Sequence, residues 1–169
     1  IPLTVALLAF WLLRNLPVSS TNARFARAVR LLKSPCPLKQ QCHHAVDDNY
    51  HSLLAGDGTA GAYPAASYWK KSDRPAEEHY DELCSLYRRY GYSRGDESSL
   101  APDHLGIQLL FINLMLEKYL TEDDYEIRAM ISNDLTRYIR KEMLNWLPRW
   151  GEAVSEKSRT KCYTGISDL

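Results

Sequence analysis

The apolar positions along this chain recur mainly at helical spacing. Val46, Tyr50, Leu53 and Leu54, for example, stand at i, i+4, i+7 and i+8, which is the pattern of one buried helix face. No run of four to eight alternating residues rich in β-branched side chains indicates a strand. The pattern therefore predicts an all-α fold, with residues 1–169 forming a single domain, a helical bundle of about seven or more helices.

Capping residues and helix breakers set the predicted boundaries. Thr121 is predicted as the N-cap of one helix with Asp124 in its first turn, and Gly91 as the residue that ends another. The helix that Pro102 opens is apolar nearly all round, which predicts a central, buried helix. The predicted helices cover about 3–16, 22–33, 45–55, 75–90, 102–120, 121–145 and 151–165.

The charge balance narrows the range of partners. Lys plus Arg equals Asp plus Glu, at 21 each, whereas a protein that binds nucleic acid by neutralising phosphates needs a basic surplus. The first stretch, IPLTVALLAFWLL, is apolar, but about a dozen residues are too few to cross a bilayer, which takes about 20. It also lacks the basic region and cleavage pattern of a signal peptide. We therefore expect no nucleic-acid partner and no stable membrane insertion.

Few cysteines occur, and they are scattered along the chain, as expected for reduced thiols in the cytoplasm. Cys36, Cys42, His43 and His44 lie close enough in sequence to leave open a metal-dependent or Cys/His-dependent hydrolase. The gap between the two cysteines departs from the C-x₂₋₄-C spacing of zinc sites, and no second pair completes a set of ligands. The sequence therefore predicts no metal site and no bound cofactor.

Two further segments raise the alternative of a nucleotide-responsive regulator. The glycine-rich GDGTAG at 56–61 lacks both the Lys-Ser/Thr ending of a P-loop and a preceding strand. LYRRYGYSR at 86–94 interleaves arginine with tyrosine, but its helical spacing places the tyrosines on an apolar face and the arginines in solvent. For both segments, nucleotide binding is a weaker interpretation than an ordinary loop or an amphipathic helix.

Asp103 and His104 stand side by side at the start of the apolar helix, where a catalytic pair is one interpretation. Neighbouring side chains on a helix point about 100° apart, so the two cannot hydrogen-bond to each other as a base and its orienting group do. In the first helical turn Asp103 would stabilise the helix through its dipole, or it would bind a ligand. No catalytic residue is predicted, and the chain is expected not to be an enzyme.

Three segments together resemble the TorD family of cytoplasmic chaperones, which mature molybdenum oxidoreductases. They are NYHSLLAGDG at 49–58, YPAASYW at 63–69 and PDHLGIQLLFINLML at 102–116, and they match the family's motifs in order and spacing. RRYGY and NWLPRW support the match, so that the resemblance covers about residues 45–155. Pro-Asp-His-Leu-Gly is its most specific part.

The resemblance implies an all-α cytoplasmic chaperone without catalysis, either a monomer or a domain-swapped dimer. Its partner would be the apo catalytic subunit of a molybdenum oxidoreductase, whose twin-arginine leader it binds until the molybdopterin cofactor has been inserted. Asp103, with Asp96 or Glu97 nearby, would supply charge for the leader's arginines. The leader-binding residues implied by the resemblance are Tyr50, Leu53, Leu54, Trp69, Pro102, Asp103, His104 and Leu105.

Overall fold

The computed structural model describes residues 23–33, 39–54, 61–70, 74–93 and 100–168. In these ranges the named elements are all helices and none is a strand, which confirms the predicted all-α fold. The helices are α1 (Ala23–Lys33), α2 (Lys39–Leu53), α3 (Ala66–Trp69), α4 (Ala76–Arg89), α5 (Leu105–Thr121), α6 (Tyr125–Tyr138), α7 (Leu147–Lys157) and α8 (Lys161–Ser167), with a π-helical segment at Ile139–Met143. Outside the described residues lie the predicted first helix over 3–16, residues 55–60 of the glycine-rich loop, Cys36, Asp96 and Glu97.

The described chain divides into two compact units. Unit 1 contains the described residues up to Tyr63 together with those from Arg149 onward, and unit 2 runs from Pro64 to Pro148. The single domain predicted from the sequence stays a prediction.

Unit 1 joins the early helices to the end of the chain. α1 packs against α8, with Val29 fully buried and the Arg27 guanidinium 3.2 Å from the Asp168 carboxylate. The side-chain oxygen of buried Asn49, on α2, accepts a hydrogen bond from the Arg159 amide at 2.9 Å. Because these bonds join residues more than a hundred positions apart, unit 1 is held together by tertiary contacts as well as by local helix formation.

Unit 2 has an aromatic core. The ring of Phe111 on α5 lies 4.6 Å from that of Tyr87 on α4 and 5.0 Å from that of Tyr138 on α6, between ring centroids. The two tyrosine hydroxyls are 3.0 Å apart, and the Tyr87 hydroxyl donates to the carbonyl of Pro102 at 2.8 Å. Burial raises the pKa of both phenols, so both hydroxyls stay protonated and can donate hydrogen bonds. The core thereby holds the chain just before α5.

Helix α5 is buried on one side only, where the sequence predicted a helix buried all round. Ile107, Phe111 and Met115 are buried against the core of unit 2. On the other side the exposed leucines are Leu109, Leu116 and Leu120, at 48%, 43% and 76%. The prediction was wrong for this side, because an apolar composition says that a face can be buried but not that another element covers it.

The junction of α5 and α6 also differs from the prediction. Thr121 is the last residue of α5, and its hydroxyl donates back to the carbonyl of Glu117 at 2.9 Å. Asp124 is the N-cap of α6, where Oδ1 accepts from the amides of Glu126 and Ile127 at 2.8 and 3.1 Å. Thr121 was therefore wrongly predicted as the cap, since the Asp124 carboxylate satisfies two of the amides that a helix start leaves open.

Three other boundaries shift. α2 begins at Lys39, six positions before its predicted start at about residue 45. The helix predicted to reach Asn145 leaves the α-helical pattern after Tyr138 and continues as the π-helical segment. The last predicted helix is two helices, α7 and α8, because Thr160 interrupts the pattern and caps α8 with its hydroxyl. Gly91 was predicted correctly: it follows α4 with φ +74°, a conformation that glycine adopts most easily.

Candidate binding site at the start of α5

The segment PDHL forms a turn and a helix start. Pro102 and Asp103 lie in the turn, which the His104 amide closes by donating to the carbonyl of Ala101 at 3.0 Å. His104 is the N-cap of α5, and its Nδ1 accepts from the Gly106 amide at 3.1 Å. The helix predicted to open at Pro102 thus begins at Leu105, because the imidazole supplies the cap.

The turn is bonded to the segment that precedes α3. The Leu105 amide donates to the carbonyl of Pro64 at 2.7 Å, and the Ala66 amide donates to the carbonyl of Asp103 at 3.2 Å. Ala65 and His104 form an antiparallel bridge at the same place. The structure therefore brings together two of the three motifs, YPAASYW and PDHL, that are separate in the sequence.

Asp103 fixes this arrangement with its side chain. Its Oδ2 accepts from the Ser67 amide, at the start of α3, at 2.6 Å. Its Oδ1 is buried and receives no hydrogen bond from a described residue, so the hold on α3 rests on one oxygen. Asp103 therefore stabilises the start of α3 instead of its own helix, which corrects that expectation. The residue is fully buried, and its predicted contact with a leader's arginines stays a prediction.

His104 is held in its neutral form. Burial lowers the pKa of its imidazole, and the nearby Asp103 carboxylate opposes this shift only in part. A neutral ring has an unprotonated nitrogen, as the hydrogen bond from Gly106 requires. The cap of α5 therefore depends on the protonation state of one half-buried side chain.

Trp69 lies at the other end of the short helix α3. It is half-buried, and its ring makes an edge contact with that of exposed Tyr68, with centroids 5.4 Å apart. The next residue, Lys70, places its ammonium 3.1 Å from the carboxylate of Glu142, a buried residue of the π-helical segment. Asp103 and Glu142 thus fix α3 from its two ends, and Trp69 is positioned between them.

The predicted site residues fall in both units. In unit 2, Pro102 and Asp103 are buried, whereas Trp69, His104 and Leu105 are half-buried. In unit 1, Leu53 is buried, and Tyr50 and Leu54 are half-buried. Sequence reasoning missed the bond from Ser67 to Asp103 and the exposure of three α5 leucines. The spacing of the leucines was visible in the sequence, but the bond from Ser67 to a residue 36 positions away had no signal there.

Residues considered for metal or nucleotide chemistry are only partly described. Within the described ranges no group of three or more His, Cys, Asp or Glu is arranged to hold a metal ion. Cys36 and the side chains of Cys42 and His43 are outside those ranges, as is most of GDGTAG. In the same part of the chain, every helix is too short or too polar to cross a membrane.

The polar side chains of the turn bond to backbone amides. Asp103 accepts from the Ser67 amide, and His104 Nδ1 accepts from the Gly106 amide. The described residues thus form an all-α fold in which this turn is the candidate binding site. Comparison with known proteins gives the family.

The family model of the nitrate reductase delta subunit matches residues 20–152. The chain is 27% identical over 125 residues to the chaperone protein TorD of Aliivibrio fischeri, with 72% of this chain and 57% of that protein covered. It is 21% identical over 150 residues to the chaperone protein TorD of Photobacterium profundum, with 86% of this chain and 66% of that protein covered. No solved structure matches the chain.

The chain belongs to this family, the TorD family that its motifs indicated. It spans 57% and 66% of the length of the two chaperones named above.

Proposed function

We propose that this protein is a cytoplasmic, non-catalytic chaperone for a molybdenum oxidoreductase. It binds the twin-arginine leader of the apo catalytic subunit and delays export until the molybdopterin cofactor has been inserted. The observation that carries the proposal is the joining of YPAASYW to PDHL by hydrogen bonds, since these are two of the motifs that mark the family. The relatives named as chaperones support the same class of function.

Within unit 2 the proposed contacts are the half-buried residues of the turn. Trp69 and Leu105 offer apolar surface, and the His104 ring lies between the turn and α5. Pro102 and Asp103 are buried, so their proposed role is to position the turn. A role for Tyr50, Leu53 and Leu54, all in unit 1, is part of the same proposal and is tested separately, by Tyr50→Ala.

Calorimetric titration with a synthetic leader peptide tests the proposed function. We expect micromolar affinity or tighter, about 8 kcal/mol, which one apolar groove with a few charged hydrogen bonds can supply. Trp69→Ala is expected to weaken binding about tenfold or more while the helical circular dichroism signal persists. A wild-type protein that fails to bind the leader would contradict the function. Loss of helical signal in Trp69→Ala would mean that this tryptophan is needed for the fold.

A further inference from the structure

The exposed side of α5 carries aligned leucines. At 100° per residue, Leu109, Leu116 and Leu120 lie within about 40° of one another around the helix axis. They are on the opposite side from the buried face of α5 and are 48%, 43% and 76% exposed. Leu105, half-buried and packed partly against the core of unit 2, begins the same stripe. We call these four leucines the α5 stripe.

Single exposed leucines are normal on a protein surface, but an aligned row is not. Tyr125, Ile127 and Met130, near the start of α6, are also exposed, at 81%, 42% and 53%. α6 follows α5 closely in the chain and packs against it. A surface of this kind is typical of a site that takes the apolar face of a peptide.

The far end of the α5 stripe is acidic. Residues 117–128 contain five acids and two bases, for a net charge of −3. The exposed carboxylates of Asp123 and Glu126 make no hydrogen bond or ion pair to a described residue. Of the two bases, Arg128 already donates to the carbonyl of Glu122 and lies 6.0 Å from the centroid of the Tyr119 ring. Free negative charge therefore stands next to Leu120. We call residues 122–126 the acidic turn.

We propose, relying on the proposed function, that the leader lies along α5 and runs antiparallel to it. Its arginines bind at the acidic turn, and its apolar stretch follows the α5 stripe towards Leu105 and His104. The occupant is chosen by charge complementarity, because a peptide with cations at one end of an apolar stretch matches a stripe with carboxylates at one end.

The length of the stripe fits the same occupant. Leu105 and Leu120 are fifteen residues apart, which corresponds to about 22 Å along a helix. A leader's apolar region of roughly 7 to 15 residues spans up to about 22 Å if it is helical. This placement also gives the arginines carboxylates that are exposed, which the buried Asp103 does not offer.

Paired surface variants of the purified full chain test the placement by titration with a leader peptide. In Leu116→Gln/Leu120→Gln we expect the Kd to rise about tenfold or more, because apolar contact is lost. In Asp123→Asn/Glu126→Gln we expect a rise of about fivefold that disappears at high salt. The matched controls are Leu144→Gln, at a leucine 55% exposed outside α5, and Asp81→Asn, at an exposed acid on α4; neither should change the Kd.

A second leader peptide, with both arginines replaced by glutamine, tests which end of the leader binds at the acidic turn. The acidic-turn variant should bind this peptide as tightly as wild type does, whereas the stripe variant should still bind it more weakly. Light scattering on each variant accompanies the titrations, because a second copy of this chain is the rival occupant of the stripe.

The results separate the placement from the proposed function. If wild type binds the leader but both surface variants bind it equally well, the placement on α5 is wrong and the proposed function stands. The placement is also wrong if the stripe variant turns a dimer into a monomer without weakening leader binding. If wild type does not bind the leader, the proposed function fails and the placement fails with it.

Discussion

At the scale of single residues, Asp103 joins parts of unit 2 that are distant in the sequence. Its carboxylate accepts from Ser67, and its own carbonyl accepts from Ala66. Because Asp103 is fully buried, removing its carboxylate leaves the Ser67 amide without its protein acceptor, while the backbone bond from Ala66 remains.

We expect Asp103→Ala to lower the free energy of unfolding by about 1 to 3 kcal/mol, since the Ser67 amide loses its acceptor. Urea unfolding followed by circular dichroism measures the change. Asp103→Asn keeps an acceptor oxygen and should cost less, and Asp81→Ala, at an exposed position, should change stability by no more than about 0.5 kcal/mol. Equal stability of Asp103→Ala and Asp81→Ala would show that the bond contributes nothing.

His104 gives unit 2 a dependence on pH. Its pKa in the folded protein lies below the ordinary 6.5 because burial disfavours the charged ring. The unfolded chain therefore binds the proton first as pH falls through about 6.5, and the folded state loses stability until the folded pKa is passed. Above a pH of about 6.5 the imidazole is neutral in both states, and the folded protein has its full stability from this residue.

His104→Asn should remove this part of the pH dependence. Asparagine is a favourable N-cap and can accept from Gly106 without titrating. Urea unfolding at about pH 7.5 and about pH 5.5 should therefore show a smaller loss of stability in the variant than in wild type. An identical loss in both proteins would assign the effect to other groups.

At the scale of elements, the clearest link from sequence to backbone is the end of α4. Gly91 has φ +74°, and a Cβ built there would meet no atom within 4 Å. The cost of any other residue is therefore the backbone conformation itself.

Gly91→Ala should lower the free energy of unfolding by about 1 kcal/mol, measured by thermal or urea unfolding. Gly91→Asn is the matched variant. Asparagine enters the left-handed region more readily than alanine, so this variant should lose less stability than Gly91→Ala. A neutral alanine variant would mean that the α4 end relaxes to another conformation.

The sequence predicted where helices occur better than where they begin. Periodicity located α4, α5 and α6, and the glycine after α4 follows directly from backbone sterics. The start of α6 was misplaced because Thr121 and Asp124 can both cap a helix, and the structure alone shows which oxygen meets free amides. The π-helical segment had no signal either, since residues 139–143 continue a helical pattern.

The candidate site could be predicted only in part. Motifs pointed to Trp69 and to Asp103 with His104, and the structure brings these segments together. Which of them are exposed could not be predicted, because burial depends on the segments that pack around a residue. Asp103 was expected to offer its charge to a ligand, yet tertiary contacts direct that charge to Ser67.

At the scale of the whole molecule, the all-α fold followed from composition and spacing, whereas the division into two units did not. Unit 1 contains the first and the last described residues of the chain, joined by bonds such as that from the Trp150 indole to the carbonyl of Ala62, 3.0 Å long. Pairings at such separations carry no periodic signal.

The predicted single domain can be tested by differential scanning calorimetry. One domain should unfold in one transition whose calorimetric and van't Hoff enthalpies agree. Trp150→Phe, which removes the indole donor to Ala62, should then lower the temperature of that one transition. Two transitions, of which Trp150→Phe lowers only one, would show that the two units unfold as separate domains.

The bond between Ser67 and Asp103 also makes one backbone amide informative. We expect the Ser67 proton to be protected from exchange with solvent while it is bonded to the carboxylate, so that its exchange rate measures how often this bond opens. A ligand that closes on the turn would slow that exchange, and one that pulls the turn apart would speed it. This single proton thus distinguishes a site that is formed in advance from one that rearranges to bind.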